Sequence, residues 1–211
     1  MISLSKLRNG FVDDFAPPQS GAGDINEKGQ VLFDHAPEGV AYRAAVYSGG
    51  GLHDLPRFAG NYVSGRAIND AGWVTGHLTT AIGRYHAYVY DGGTVTDLTP
   101  WSVTSFGFDI NNLGQVVGTV DGRAFLYEDR ILIDLNTLID PRADLLLTEA
   151  LAINDRGQIL ARSCDRAGVF CYDTMLLDPV PAVPEPAHWA TLAAGLAVLG
   201  AARWSRVRAG R

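Results

Sequence analysis

One ten-residue motif recurs along the sequence at nearly constant spacing, and this repetition limits the possible folds more than any other feature. The motif reads AINDAGWVTG at residues 67–76, and three related segments also contain an Ile-Asn pair. The isoleucines of the four pairs are separated by 43, 42 and 43 residues: Ile25, Ile68, Ile110 and Ile153. A period of roughly 20 to 50 residues is typical of propellers, solenoids and other arrays. The sequence therefore predicts one supersecondary unit that is used repeatedly.

Each unit carries the pattern of a small antiparallel sheet. Residues 65–100 contain four short segments rich in β-branched and aromatic residues, with Asn, Asp and Gly between them, as antiparallel hairpins require. Four strands in about 42 residues is the size of a propeller blade. The predicted fold class is therefore all-β, with repeated four-stranded antiparallel units in a propeller-like arrangement. An open or incomplete array is the alternative to a closed ring.

The repeat divides residues 1–178 into a half-unit and four full units. The half-unit covers residues 1–17, and the full units cover about 24–66, 67–108, 109–151 and 152–178. In the last unit the alternation of side chains predicts a third strand near residues 168–172, with Tyr172 in the place that Tyr90 has in the second unit.

The composition changes abruptly after the last repeat. Four prolines in residues 179–186 predict an extended linker, and residues 187–202 are nearly all apolar. A helix of that length spans about 24 Å, less than the roughly 30 Å of a bilayer core, but Trp189 and Arg203 can extend it to the two interfaces. We therefore predict a single C-terminal transmembrane helix, with residues 203–211 as a cytoplasmic tail and the repeat domain outside. A buried C-terminal core helix is the alternative.

The charges of the repeat domain and the tail have opposite signs. Of the formal net charge of -6, residues 1–182 contribute -9 and residues 183–211 contribute +3. An acidic body argues against nucleic acid as a partner.

The two cysteines, Cys164 and Cys171, flank a predicted turn and would face each other across a hairpin. In an oxidising compartment a disulfide at this place would stabilise the fold by about 2 to 3 kcal/mol. Two buried thiols are the alternative. Neither the spacing nor the neighbouring residues indicate a zinc site.

No motif in the sequence predicts catalysis or cofactor binding. The sequence lacks a Gly-x-Ser-x-Gly turn, a two-histidine helix motif and a phosphate-binding glycine loop. His86 occupies the position that Arg43 and Arg123 hold in other units, which favours a structural role. The Asn-Asp turns fit backbone-bonded Asx turns better than a calcium site, because each supplies only two or three oxygen ligands. We therefore predict a protein that is not an enzyme and that has no cofactor, no metal and no catalytic residues.

Aromatic residues near the turns are the remaining candidates for a binding function. Trp73 and Trp101 are candidate sugar-binding residues, although most aromatic side chains in such repeats belong to the core between sheets. A glycosidase would require two carboxylates at a defined separation, and the sequence alone places no such pair.

The C-terminal segment resembles the PEP-CTERM sorting signal of Gram-negative bacteria. A Val-Pro-Glu-Pro motif, a short apolar span and terminal arginines follow each other in that order. The resemblance implies recognition by an exosortase, transit through the inner membrane, removal of the tail and delivery to the cell surface or the extracellular space, often alongside exopolysaccharide. It assigns the sorting motif to Val183, Pro184, Glu185 and Pro186, and the cytoplasmic basic stop to Arg203, Arg206, Arg208 and Arg211.

The repeats resemble the HAF repeats of exported bacterial proteins. The pattern is carried by HAY at residues 86–88, DL at 97–98, INNLGQVVG at 110–118 and RAF at 123–125. This resemblance names a structural repeat and implies no chemistry. Proteins with a PEP-CTERM tail are expected to begin with a signal peptide, and residues 1–15 contain no apolar run of the required length. We therefore expect the true start of the protein to lie upstream of residue 1.

Together these features predict an exported, non-catalytic β-repeat protein of the cell surface or the extracellular matrix. A carbohydrate-binding module for secreted exopolysaccharide is the first alternative. A propeller-type hydrolase is a more distant one.

Overall fold

A computed structural model describes residues 20–36, 43–59, 61–140, 142–165, 171 and 173–180. The chain divides into two compact units, Met1–Asp178 and Pro179–Arg211, and nearly all the described residues belong to the first. This part of the chain is built from antiparallel strands that follow each other without crossovers.

The described strands form four sheets in chain order, which confirms the all-β prediction. The first sheet contains β1 (Ser20–Ile25), β2 (Val31–His35), β3 (Arg43–Ser48) and β4 (Gly51–Asp54). The second contains β5 (Val63–Ile68), β6 (Val74–Thr79), β7 (Tyr85–Tyr90) and β8 (Val95–Asp97). The third contains β9 (Ser105–Ile110), β10 (Val116–Val120), β11 (Arg123–Glu128) and β12 (Ile131–Asp134). The fourth contains β13 (Leu145–Ile153), β14 (Ile159–Asp165) and β15 (Asp173–Leu177).

Sheets that are neighbours along the chain pack against each other through apolar side chains. Alternation along the strands sends every second side chain to the same face, so one sheet contributes to two different cores. The three cores join the first and second sheets, the second and third, and the third and fourth. Fully buried side chains lie in all of them: Leu32, Val74 and Tyr88 in one, Val116 and Phe125 in the next, and Val117 and Leu147 in the last.

An asparagine in the first turn of each sheet connects that sheet to its neighbour. The side-chain amide of Asn26 donates to the carbonyl oxygen of Asn69 at 2.8 Å. Asn69 donates in the same way to Asn111, and Asn111 to Asn154, both at 3.0 Å. Because the turns repeat at the period of the sheets, the four asparagines form a ladder from the first sheet to the fourth.

The same asparagines also fix the geometry of their own turns. The Oδ1 atom of Asn111 accepts hydrogen bonds from the backbone N–H groups of Leu113 and Gln115, both at 3.0 Å. Gly114 follows at φ +78°, a conformation that glycine adopts without a steric penalty. These are Asx turns, as the Asn-x-x-Gly pattern predicts.

The sheets begin earlier in the sequence than the predicted units. The approximate boundaries predicted after residues 66, 108 and 151 fall inside β5, β9 and β13. The Ile-Asn motif that marked the units is the turn between the first and second strands. Counting from it therefore separates each first strand from the sheet to which it belongs.

The third strand of the last sheet also lies later than predicted. Val74 pairs with Tyr90 and Val116 with Tyr127, but the equivalent Ile159 pairs with Leu177. Leu177 therefore takes the place that the sequence pattern assigned to Tyr172. The connection between β14 and β15 spans residues 166–172, longer than the two residues between β10 and β11, and this insertion shifts the register.

The Cys164–Cys171 disulfide closes this long connection. Cys164 is buried at the end of β14, and the Cα atoms of the two cysteines lie 3.9 Å apart.

Several sequence predictions fall outside the described residues. These are the half-unit at residues 1–17, the sorting motif at 183–186, the apolar segment at 187–202 and the basic tail at 203–211. Within the described residues, no helix has the length and apolar character needed to cross a membrane.

Candidate functional site

A cleft between the second and third sheets is the candidate functional site. Its volume is ≈ 750 Å³, within the range of roughly 300 to 1,000 Å³ that is usual for small-molecule sites. Both tryptophans that the sequence singled out line it: Trp73 from the turn between β5 and β6, and Trp101 from the connection between β8 and β9. Other lining side chains come from the ends of β7, β8 and β11 and from the neighbouring turns: Asp91, Thr96, Asp97, Leu113, Tyr127, Asp129 and Arg130.

The two tryptophans present different amounts of surface to the cleft. Trp101 is 63% exposed, which is unusual for so large an apolar side chain. Trp73 is half-buried, and its ring lies directly over Gly114. A Cβ atom at Gly114 would approach Cζ3 of Trp73 to 2.6 Å, so the glycine leaves the space in which the indole lies. The backbone of Trp73 is fixed by a 2.9 Å hydrogen bond from its N–H to Oδ1 of Asn69.

Three charged residues from two hairpin turns line the cleft: Asp91, Asp129 and Arg130. The Asp91 carboxylate accepts hydrogen bonds from the N–H groups of Thr94 and Gly93, at 2.8 and 3.1 Å, and these bonds lower the pKa of Asp91. Asp129 and Arg130 form the turn between β11 and β12. Within the described part of the chain, their side chains make no hydrogen bond or ion pair to another residue. Their polar atoms are therefore available to a ligand.

The recurring aspartates at the ends of the fourth strands each contact a basic side chain on the third strand of the same sheet. Asp97 Oδ2 lies 2.7 Å from Nδ1 of His86, and Asp134 Oδ2 lies 2.7 Å from Nε of Arg123. Although partial burial opposes the charged form, hydrogen bonds from Asn136 and Arg123 hold the pKa of Asp134 below its ordinary value. His86 and Arg123 thus fill equivalent positions with the same partner, which matches the structural role expected for His86.

In the first sheet the aspartate contacts an arginine, as in the third sheet, and also a histidine. Asp54 contacts Arg43 at 2.8 Å through one oxygen and Nε2 of His35 at 2.7 Å through the other. Asp54 is therefore engaged as its counterparts in the second and third sheets are.

A smaller hollow of ≈ 270 Å³ lies where the four Ile-Asn turns meet. Glu27, Asp70 and Asp155 contribute to its wall. Hydrogen bonds from the backbone and side chain of Asn112 lower the pKa of Asp155. In the described ranges, no group of three or more His, Cys, Asp or Glu residues is placed to hold a metal ion.

The sequence predictions singled out Trp73 and Trp101 but missed Asp129 and Arg130. Both missed residues have positive φ, at 50° and 65°. The corresponding turn of the first sheet has Gly49 and Gly50, at φ 61° and 81°. Comparing the units position by position would have shown an Asp-Arg pair where the backbone favours glycine.

Comparisons with known proteins support the architecture. No protein-family model matches the chain, and no curated protein matches it. Among solved structures, the chain is similar to the β-propeller domain of the Trilobed protease from Pyrococcus furiosus, described as having an open velcro topology, with a TM-score of 0.53 and 10% sequence identity. The similarity covers 78% of this chain and 54% of that one, so the chain spans about half the length of the solved protein. At this identity the similarity shows a propeller-like fold and nothing about activity.

Proposed function

We propose that this chain is an exported, non-catalytic β-propeller-like protein of the cell surface or extracellular matrix in a Gram-negative bacterium. The observation that carries the proposal is the C-terminal order of a Val-Pro-Glu-Pro motif, an apolar span and four arginines, which resembles the PEP-CTERM signal. An exosortase is then the processing partner, and the protein passes through the inner membrane on its way out of the cell. The Cys164–Cys171 disulfide is in keeping with an oxidising destination.

The structural use of the recurring polar residues supports a non-catalytic role. Asp54, Asp97 and Asp134 are each paired with a basic side chain at the same place in their sheets. Asn69 and Asn111 are buried in the ladder between sheets. A residue that repeats in every unit and bonds in the same way stabilises the repeat, whereas a catalytic residue is needed only once.

Processing of the tail is tested by intact mass and cell fractionation in the native host, with expression from the native chromosomal locus. We expect the product outside the cell to lack the residues that follow about Pro186. Replacing Glu185 with Gln should leave the uncleaved chain in the inner membrane, whereas Glu149→Gln in the repeat domain should be processed normally. A full-length product in the cytoplasm would contradict the sorting proposal.

Saccharide binding is a second function, favoured by the meeting of Trp73 and Trp101 in one cleft. The flat apolar face of an indole packs against the C–H groups of a sugar ring, and neighbouring polar groups hydrogen-bond its hydroxyls. For an exported protein of this kind, the ligand that we propose is a secreted exopolysaccharide.

Substitution of the tryptophans tests this second function. We expect Trp73→Ala and Trp101→Ala each to weaken glycan binding about tenfold or more, because aromatic anchors contribute disproportionately to binding. Leu138, which is 65% exposed and does not line the cleft, provides the control variant Leu138→Ala. Equal binding by all three variants and the unaltered protein would exclude the cleft as the glycan site.

A further inference from the structure

The four sheets of this protein can be compared position by position, and two of the departures from their shared pattern lie at the cleft. In the first, third and fourth sheets a glutamine follows the turn glycine: Gln30, Gln115 and Gln158. Its Oε1 atom accepts a hydrogen bond from the ladder asparagine of its own turn, at 2.7, 2.5 and 2.8 Å. Its Nε2 atom donates to a residue at the end of the third strand: the last strand residue in the first and third sheets, Ser48 and Glu128, and the residue that follows the strand in the fourth, Asp178. In these three sheets the glutamine thus connects the first turn to the end of the third strand.

In the second sheet Trp73 replaces this glutamine, and the connection is missing. Asn69 therefore has no glutamine oxygen in its own turn, and its side-chain amide donates to Asn111. Asp91, the residue after the third strand, has no glutamine donor and caps the following turn instead. With Trp73 at this position, the second sheet lacks the two glutamine hydrogen bonds that the other three sheets have, one to the turn asparagine and one to the end of the third strand.

The second departure is the turn between β11 and β12. A side chain in the left-handed region clashes with its own backbone, and glycine avoids this penalty. The first sheet uses Gly49 and Gly50 there, whereas the third holds Asp129 and Arg130 at φ 50° and 65°. Such strain persists where the structure over-determines it and is concentrated at functional sites.

Trp73 gives up the hydrogen bonds of the glutamine, Asp129 and Arg130 hold positive φ values, and all three side chains lie at the same cleft. If they were neutral drift, they would be expected at unrelated places in the four sheets. Their convergence indicates that Trp73, Asp129 and Arg130 are kept for a ligand.

We propose that the cleft is a specific site for a saccharide that carries no carboxylate groups, and that Trp73, Asp129 and Arg130 determine this specificity. This inference rests on the proposed saccharide-binding function and adds the class of sugar and the residues that select it. Trp73 and Trp101 provide the apolar faces for the sugar rings. The Asp129 carboxylate accepts hydrogen bonds from sugar hydroxyls, and the Arg130 guanidinium donates to hydroxyl or ring oxygens.

The charges at the cleft select against acidic sugars. Asp91, Asp97 and Asp129 all line it, whereas Arg130 is the one arginine among the described residues that line it. Of the three carboxylates, Asp97 is hydrogen-bonded to His86. The carboxylates therefore outnumber the guanidinium group and repel uronic acids, whereas hydroxyls and amino groups meet acceptors.

Variants that restore the repeat pattern test the inference. The first is Trp73→Gln, and the second is the double change Asp129→Gly with Arg130→Gly. Both are measured against a panel of neutral, amino-sugar and uronic-acid oligosaccharides immobilised at equal density, and their Tm values are recorded. We expect the unaltered full chain to bind neutral or amino-sugar members and both variants to bind about tenfold more weakly or worse. We also expect the double glycine variant to have a higher Tm, because glycine relieves the strain at two positive-φ positions, and this distinguishes a binding role of Asp129 and Arg130 from a structural one.

The outcomes separate this inference from the function on which it rests. If the unaltered chain binds no member of the panel, the saccharide function and the inference both fall. If Trp101→Ala abolishes binding but the two restoring variants retain it, the saccharide function stands and the inference is overturned. Preference of the unaltered chain for uronic acids, or a lower Tm in the double glycine variant, would also overturn it. The Leu138→Ala variant should keep the binding and the selectivity of the unaltered chain.

Discussion

Replacing Asn111 with Ala is expected to lower the free energy of unfolding by roughly 3 to 5 kcal/mol. Asn111 is buried, and its side chain makes four hydrogen bonds. Its oxygen accepts from two backbone N–H groups of its own turn, and its amide donates to Gln115 Oε1 and to the carbonyl oxygen of Asn154. Alanine would remove all four hydrogen bonds at a part-buried place, and each partner group left unpaired there is costly.

The position of Asn111 within the ladder explains why the effect should be large. In an array of repeats, each unit is stabilised by its contacts with its immediate neighbours. The backbone carbonyl oxygen of Asn111 accepts a hydrogen bond from the side chain of Asn69, and the side-chain amide of Asn111 donates one to Asn154. The substitution therefore weakens a turn that joins the second, third and fourth sheets.

Asn154→Ala is the matched control. Asn154 has the same place in its turn and caps the N–H groups of Arg156 and Gln158, but it is exposed. Among the described residues its amide donates to Gln158 within its own turn and to no other sheet. We expect it to cost about 1 to 2 kcal/mol, close to the loss of an ordinary turn cap. Denaturant unfolding of both variants in one buffer gives the comparison, and an equal cost at the two positions would show that the ladder adds no stability.

The strands of the first three sheets could be predicted from the sequence because their information is local. In the second unit, alternating side chains between Gly, Asn and Asp turns place all four strands, and the structure confirms them. The last sheet could not be placed in this way. Tyr172 follows the sequence pattern of Tyr90, but pairing is set by the contacts of a whole strand, and Leu177 pairs with Ile159 in that register.

The candidate site was predictable only in part, because a cleft is a property of two sheets. The sequence identified Trp73 and Trp101 as aromatic residues near turns, but 28 positions separate them, and only the packing of neighbouring sheets brings them to one cleft. Asp129 and Arg130 gave no local signal, because their positive φ is opposite to their intrinsic preference. A strained turn is visible in the sequence only by comparison with the glycines of the first sheet.

Gly118→Ala is the second substitution with a large expected effect, and we expect it to cost roughly 3 kcal/mol or more. Gly118 lies in β10, opposite the place where the pairing of β9 skips a residue. A Cβ atom there would lie 2.0 Å from the carbonyl oxygen of Phe106 and 2.9 Å from Cε1 of Phe125. The carbonyl oxygen belongs to a paired strand, so no change of rotamer can relieve the overlap.

Gly76 has the same environment in the second sheet, where a Cβ atom would lie 2.0 Å from the carbonyl oxygen of Ser64. The glycine that ends the Ile-Asn motif is therefore required by the bulge in the neighbouring first strand.

Gly21→Ala provides the control for this prediction, since Gly21 also lies in a strand but has no atom within 4 Å of the added Cβ. We expect its free energy of unfolding to change by about 0.5 kcal/mol or less. Thermal and denaturant unfolding of Gly21→Ala, Gly76→Ala and Gly118→Ala would decide the matter. If the two motif glycines tolerated alanine as well as Gly21 does, the bulges in β5 and β9 would not be the reason that glycine ends the motif. A large loss at Gly76 and Gly118 alone would establish that the period of the sequence encodes this irregularity along with the strands.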